Sequence, residues 1–368
     1  MKVICEGLDL SDAVMKVIKA ASQKSPNPVL EGIKIKAENN TLTFTATDTE
    51  LAIEKKIKAD VKIEGETVVP GRIFSEFVKK INYDTIEMTL SENLQLKLKY
   101  TDSEGVFQCM SAAEYPALEE VKSAQKFSIV KKEIKDLINK IVFSAASDES
   151  RPILKGVLFE IDDVSMNGVA VDGFRLALCT KPIENSTAKM NAVVPGKSLM
   201  EIAKLVDDSE EIITFHIQKN YLMADFNGTR IITRLLEGDF FSYKQILAPK
   251  DYSTVITINR EQLENGLERA SLLARGDKNN LVKFDIKDKI LELTSNSEMG
   301  NIREKIPVGL EGKDLTIAFN AKYYTDALRA LNEEFVKIKF TSPSSPCIIT
   351  SVEKEYEYTY LILPVRII

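Results

Sequence analysis

The chain has 368 residues, of which 44% are hydrophobic and 28% charged, with a formal net charge of −6, a composition that belongs to a soluble globular protein and excludes a disordered or fibrous one. Its length predicts two or three domains, each able to bury its own core. The four cysteines, Cys5, Cys109, Cys179 and Cys347, form neither a CxxC pair nor a disulfide framework, so a reducing, cytoplasmic setting is expected.

The amino terminus MKVICEGLDL lacks an apolar core of signal-peptide length, and nowhere do about 18 apolar residues run together, so neither export nor a membrane span is expected. A strand opens the chain, Lys2 to Glu6. A helix started by Asp9 or Ser11 follows, because Leu10, Val14, Val17, Ile18 and Ala21 form one stripe with Lys16, Lys19 and Lys24 off it. Alternating patterns predict strands over Gly32 to Ala37, Thr41 to Thr47, Leu51 to Lys58 and Glu66 to Val69, separated by Asn-Asn and Glu-Gly turns. Gly71 to Ile81 reads as a second helix, and Thr85 to Leu90, Gln95 to Tyr100 and Gly105 to Ser111 read as strands. After the polar connector Lys122 to Lys126, helices are expected over Lys131 to Ala146 and Gly196 to Val206. A second connector, Ala248 to Tyr252, precedes helices over Arg260 to Ala274 and Ala321 to Leu331, and the chain ends in an apolar tail from Tyr360 to Ile368.

This succession is one pattern written three times. VVPGRIFSEFVKKI at Val68 returns as VVPGKSLMEIAKLV at Val193 and as IAFNAKYYTDALRAL at Ile317, so that Pro70, Pro195 and Asn320 stand 125 residues apart. NPVLEGIKI returns as RPILKGVLFEI and faintly as NNLVKFDI, and Asp48, Asp172 and Ser297 hold one matching place. Each copy closes on two strands around a turn. The fold class expected is therefore α+β, three repeated domains of two helices on a mainly antiparallel sheet, bounded at 1–122, 126–248 and 252–368.

Charge is sorted along this pattern. The six helical windows together carry +7, which against the net −6 leaves −13 for the rest. One reading is that lysine is a good helix former; the other is a basic helical surface backed by acidic sheets. On the second reading Lys16, Lys19, Lys24, Lys79, Lys80, Lys131, Lys135, Lys197, Lys204, Arg269, Arg275 and Lys322 are the candidates to face nucleic acid.

Catalytic chemistry finds no footing. The lone histidine, His216, lies in the alternating run IITFHIQ without a ligand-spaced partner, and GxGxxG, GxxxxGK[ST], GxSxG and HExxH are absent. Asp48 and Asp172 could be a carboxylate pair, but a duplicated Asp more often marks the same turn twice. No catalytic residue, metal or cofactor is expected.

The segments RPILKGVLFEI, VAVDGFRLAL, EGDFFSYKQIL and YLILPVRI resemble, in order and over the whole chain, those of the bacterial DNA polymerase III beta subunit family, the replication sliding clamps. The resemblance implies a head-to-tail homodimer closing into a six-domain ring, with helices lining the hole and sheets outside. Such a ring encircles double-stranded DNA without sequence specificity and tethers the replicative polymerase. A clamp loader and other proteins carrying a short clamp-binding peptide motif are further implied partners. Twelve helices about 9 Å apart would span roughly 108 Å around, an axis circle of roughly 34 Å. Less one helix diameter of about 10 Å, a duplex can pass.

By the same resemblance a peptide pocket lies between repeats two and three, at Arg151, Leu154, Val171, Gly173, Phe174, Arg175, Leu176, Phe241, Gln245, Ile246, Asn320, Tyr323, Leu361, Leu363, Pro364, Val365 and Arg366. Phe241 stands where the family has proline and Gln245 where a basic residue is frequent, and the chain runs one residue past the usual end. The resemblance also implies a dimer interface at Arg72, Phe107, Cys109, Leu272, Leu273, Glu298 and Glu304. Two other function classes stay open on the residues alone. One is a hydrolase or transferase on a triplicated fold, and the other is a repeat scaffold that binds only proteins.

Overall fold

The computed structural model describes the chain except for residues 82–84, 119–120, 122–124, 149, 188, 249–250, 275–279, 354–356 and 367–368. It contains six α-helices among the described residues, two per repeat: α1 Gly7–Val17, α2 Gly71–Val78, α3 Lys131–Ile141, α4 Gly196–Leu205, α5 Arg260–Ala274 and α6 Ala321–Arg329. Helices pack in pairs, α1 on α2, α3 on α4 and α5 on α6, and the long member of each pair lies on its repeat's strands. Their buried stripes, such as Leu10, Val14 and Val17 or Ile134, Leu137, Ile138 and Ile141, meet sheet residues of 3.6-against-2 periodicity.

By compactness the chain falls into two units, Met1–Val130 with Glu210–Leu235, and Lys131–Ser209 with Leu236–Ile368. The division cuts the second repeat because hydrogen-bonded ladders run from one repeat into the next. In the first unit an eight-stranded antiparallel sheet orders Gln125–Val130, Ile212–Gln218, Tyr221–Phe226, Thr229–Arg234, Leu51–Lys58, Thr41–Thr47, Gly32–Glu38 and Gly65–Pro70. Four strands of repeat two thus extend the sheet of repeat one, joined where Thr229–Arg234 pairs with Leu51–Lys58. The same unit holds a five-stranded sheet that ends on Ser103–Gln108.

The second unit repeats the device. Its nine-stranded sheet joins Arg175–Pro182 of repeat two to the carboxyl-terminal strand Tyr358–Ile362, with Leu176 opposite Leu361 and Arg175 opposite Ile362. A four-stranded sheet ends on Gly300–Pro307.

Side chains explain why the repeats keep their landmarks. A Cβ at Gly32 would sit 2.4 Å from Val68 Cγ1, and one at Gly156 would sit 2.6 Å from Val193 Cγ1, so both strands need glycine to admit the neighbouring valine. Asp48 Oδ1 accepts from the amides of Glu50 (3.1 Å) and Leu51 (2.8 Å). Asp172 Oδ1 accepts from those of Phe174 (2.9 Å) and Arg175 (3.0 Å), and Ser297 Oγ from Met299 (3.2 Å). The duplicated aspartate is a turn device.

Several expected boundaries move. Helix α1 begins at Gly7, after extended Glu6, which leaves Asp9 in the first turn where its charge favours the dipole, and buries Ser11. Helices α2 and α6 stop at Val78 and Arg329, short of the expected ends, and α3 tightens into a 3₁₀ turn at Val142–Ser144. The strand expected over Gly105 to Ser111 runs Ser103–Gln108. Two short edge strands, Asp60–Ile63 and Gly309–Gly312, were not expected; being largely exposed, they carry no apolar alternation to read.

Candidate partner and nucleic-acid interfaces

The residues expected to form a peptide pocket all lie within the second unit, and some of them, Tyr323 and Phe174 among them, meet at Arg175. Its side chain is 8% exposed, and a buried guanidinium must be paired. Arg175 Nε donates to Asp172 Oδ2 (2.9 Å), Nη1 to Asp326 Oδ2 (2.7 Å) and Nη2 to the Phe143 carbonyl (2.7 Å). The planar group lies 4.8 Å from the Tyr323 ring centroid and 5.3 Å from that of Phe143. Tyr323 in turn stacks on Phe174 at 5.7 Å, and burial together with the Asp172 charge pushes its phenol pKa upward. Phe174 is nonetheless 56% exposed. Gly173 adopts φ +93°, with open space where a Cβ would be, so the turn can present Phe174 outward.

Behind this rim stands an apolar cluster that includes Leu154, Val171, Leu176, Tyr243 and Leu361, with Ile246 packed on it. The carboxyl-terminal segment is held at two points: the Leu363 amide donates to the Phe174 carbonyl (2.9 Å) and the Val365 amide to the Ala318 carbonyl (2.8 Å). Pro364, half-buried between them, keeps the backbone extended. Leu363 and Phe241 remain 38% and 42% exposed, and Arg151, Gln245 and Arg366 are exposed. Asn320 caps α6, its Oδ1 accepting from the Lys322 amide at 3.0 Å.

The sequence did not single out Phe143, Asp326, Tyr243 or Glu160. The Tyr243 hydroxyl donates to Glu160 Oε2, and Lys244 Nζ lies 3.0 Å from the other carboxylate oxygen, Oε1. Burial opposes ionisation of Glu160, but these two donors win and lower its pKa. Nor was the buried ionic cluster of this unit foreseen. Lys181 contacts Glu133 (2.8 Å), Asp136 (2.6 Å) and Glu357 (2.8 Å), while Lys140 contacts Asp136 and Glu357 at 2.8 Å each. Against the burial that would raise it, the two ammonium groups hold Glu357 down at about 2.

Of the basic candidates, Lys19, Lys24, Lys79, Lys80 and Lys197 are exposed on or just beyond the helices. Lys16 pairs with Asp12 (2.8 Å), Lys135 with Asp208 (2.9 Å), Lys204 with Glu201 (2.7 Å) and Lys322 with Asp326 (2.6 Å). Lys131 departs from expectation. It is fully buried, its ammonium 3.3 Å from Asp207, because the first turn of α3 faces the turn after α4 rather than solvent. Arg275 lies outside the described residues.

Among the interface candidates, Phe107 packs edge-on against Phe74 and Phe77. Cys109 is buried, whereas Arg72 and Glu298 are exposed. In the second unit Leu272 is 56% exposed and Leu273 half-buried, and Glu304 takes a two-pronged pair from Arg269, both contacts at 2.8 Å. That guanidinium lowers the Glu304 pKa.

Catalytic and metal chemistry gains no site. His216 lies on its strand with its pKa lowered by burial, and the described residues include no group of three or more His, Cys, Asp or Glu that could hold a metal. No described helix is long and apolar enough to cross a membrane.

Models of the DNA polymerase III beta subunit match the chain in succession: the N-terminal domain over 1–119, the central domain over 128–241 and the C-terminal domain over 244–366. The beta sliding clamp of Bacillus subtilis is 33% identical over 378 residues, covering all of both chains, and that of Halalkalibacterium halodurans is 32% identical over 367, covering 96% of each. Among solved structures, the B. subtilis DNA polymerase sliding clamp is similar with a TM-score of 0.95 and 32% identity over all of both chains. A putative DNA polymerase III beta subunit from Eubacterium rectale gives 0.94 and 31%, again over all of both chains.

Proposed function

This chain belongs to the DNA polymerase III beta subunit family, the bacterial sliding clamps, and from that premise we propose how its own surfaces serve the function. It is a replication clamp that encircles DNA, a processivity factor and not an enzyme, and its partner classes are DNA and a polymerase. The finer reading is a cytoplasmic homodimer of three clamp domains per chain, 1–122, 126–248 and 252–368. In it the replicative polymerase subunit, the clamp loader and other partners share one peptide site around Phe174, Leu176, Ile246 and Leu363. The observation that carries the peptide site is the pairing of an exposed aromatic rim, Phe174 on Tyr323, with a backbone-anchored carboxyl-terminal segment over an apolar floor. Such a floor suits the apolar side chains of a short extended peptide.

Two sheet ends support the dimer. Ser103–Gln108 is the last strand of its sheet in the first unit and Gly300–Pro307 the last of its sheet in the second, each with one backbone edge that no strand pairs among the described residues. Val106 is exposed on one, and Met299 and Leu272 are exposed beside the other. Pairing of unlike edges across a two-fold axis would close a ring. Replacing Leu272 and Leu273 by Glu is expected to give monomers in analytical ultracentrifugation at micromolar concentration. An unchanged dimer mass contradicts this interface.

A further inference from the structure

Several basic residues of the helices already hold a carboxylate. Lys16, Lys135 and Lys204 each hold a carboxylate at 2.8, 2.9 and 2.7 Å, from Asp12, Asp208 and Glu201 respectively. Two of these pairs lie within one helix, at i,i+4 and i,i+3, where local helix support would be reason enough for them. The third does not: Lys135 on α3 reaches Asp208 in the turn that follows α4, 73 positions away. Helix propensity gives no cause for that contact, and an exposed ion pair adds little stability. Lys322 with Asp326 and Arg269 with Glu304 continue the pattern, although Asp326 also serves Arg175 and Glu304 stands on an edge strand.

We propose that Asp12, Glu201 and Asp208 are built-in counterions that set how loosely the clamp holds DNA. A lysine that enters a phosphate contact from solution displaces a condensed cation, and the release of that cation drives binding at low salt. A lysine already neutralised by its own carboxylate offers the phosphate a poorer contact, since the internal partner must first be given up. Each such pair makes the dependence of affinity on salt shallower by about 0.9 in logarithmic slope. The hold is then weak at every position, which suits a ring retained by topology that must move along any sequence. This inference rests on the reading that duplex DNA runs along the helix faces.

The test uses the full-length dimer with Asp12→Asn, Glu201→Gln and Asp208→Asn combined, and a short linear duplex followed by fluorescence anisotropy between about 50 and 200 mM salt. The expected result, for three pairs in each of two protomers, is a salt slope steeper by up to about 5, with affinity near 0.1 M raised by roughly a hundredfold or more. Adding Lys16→Ala, Lys135→Ala and Lys204→Ala returns the slope to that of the parent. A control of equal charge neutralises Glu92, Asp314 and Glu353, all exposed and outside the six helices, and leaves the slope nearly unchanged. An unchanged slope in the triple variant, or an equal rise in the control, overturns the proposal. Sedimentation and thermal unfolding of each variant separate these outcomes from a loss of fold. Failure of the parent ring to stay on nicked circular DNA would count against encirclement itself; an unchanged slope in a ring that does stay counts against the counterions alone.

Discussion

Two junctions in the molecule share one backbone plan and differ in what they present. In the first unit Ala52 lies opposite Ile232, and in the second Leu176 lies opposite Leu361, each pair joining a repeat to the next repeat's closing strand. Both are preceded by the same aspartate turn, at Asp48 and at Asp172. At the first junction the turn continues with Glu50 and Leu51, and a small cluster of Ala52, Met223 and Ile232 fills the space with Leu118 and Val121 against it. At the second it continues with Phe174 and Arg175, and the cluster is larger and ringed by aromatics. Repetition thus fixes the strand register and the turn. On the peptide-site reading proposed above, three or four side chains separate a junction that is only a joint from one where a partner would also dock.

The largest effect should come from exchanging those side chains at their centre. Arg175→Leu gives the second junction the residue of the first, but leaves Asp172 and Asp326 without the guanidinium that now satisfies them. It is expected to cost about 3 kcal/mol in urea unfolding. If the variant is as stable as the parent, the buried arginine is not what organises this junction.

Acid should separate the two units next. The folded-state pKa of Glu357 lies at about 2, below its ordinary 4.5. Its contribution is therefore present above about pH 4.5 and lost as pH falls toward 2. The first unit has no counterpart of this cluster among its described residues. Glu357→Gln should lower stability at neutral pH by about 1 to 3 kcal/mol and flatten the acid limb of unfolding over that window. An acid limb identical to that of the parent would show that Lys140 and Lys181 are satisfied without Glu357.

The smallest change tests function alone. Phe174→Ala removes an exposed ring and should weaken a polymerase-derived peptide by about 1 to 2 kcal/mol, roughly five- to thirtyfold in calorimetry, with little effect on folding. Glu50→Ala at the equivalent turn should leave that affinity unchanged. Equal losses in both would erase the distinction between the junctions.

Much of this was legible because the triplication shows in residues whose roles are local. Pro70, Pro195 and Asn320 mark helix starts, Gly32 and Gly156 admit a valine, and Asp48 and Asp172 close turns; each leaves a trace within a few positions of itself. What escaped was long-range. Arg175 with Asp326 spans 151 positions and Lys181 with Glu357 spans 176, distances at which no periodicity operates. Burial of Lys131 escaped for a related reason: helical spacing sets it beside the apolar stripe, three and seven positions before Ile134 and Ile138, but the carboxylate that meets its ammonium there, Asp207, lies far along the chain. The family resemblance implied candidate pocket positions but not the ion pairs beside them.

The central claim is that the clamp's hold on DNA is topological, and retention after loading tests it most directly. Rings loaded onto nicked circular DNA and passed through a gel-filtration column in high salt should elute with the circle. After one cut by a restriction enzyme they should be lost from the DNA. Retention that is equal on circular and linear DNA, or absent from both, would contradict encirclement.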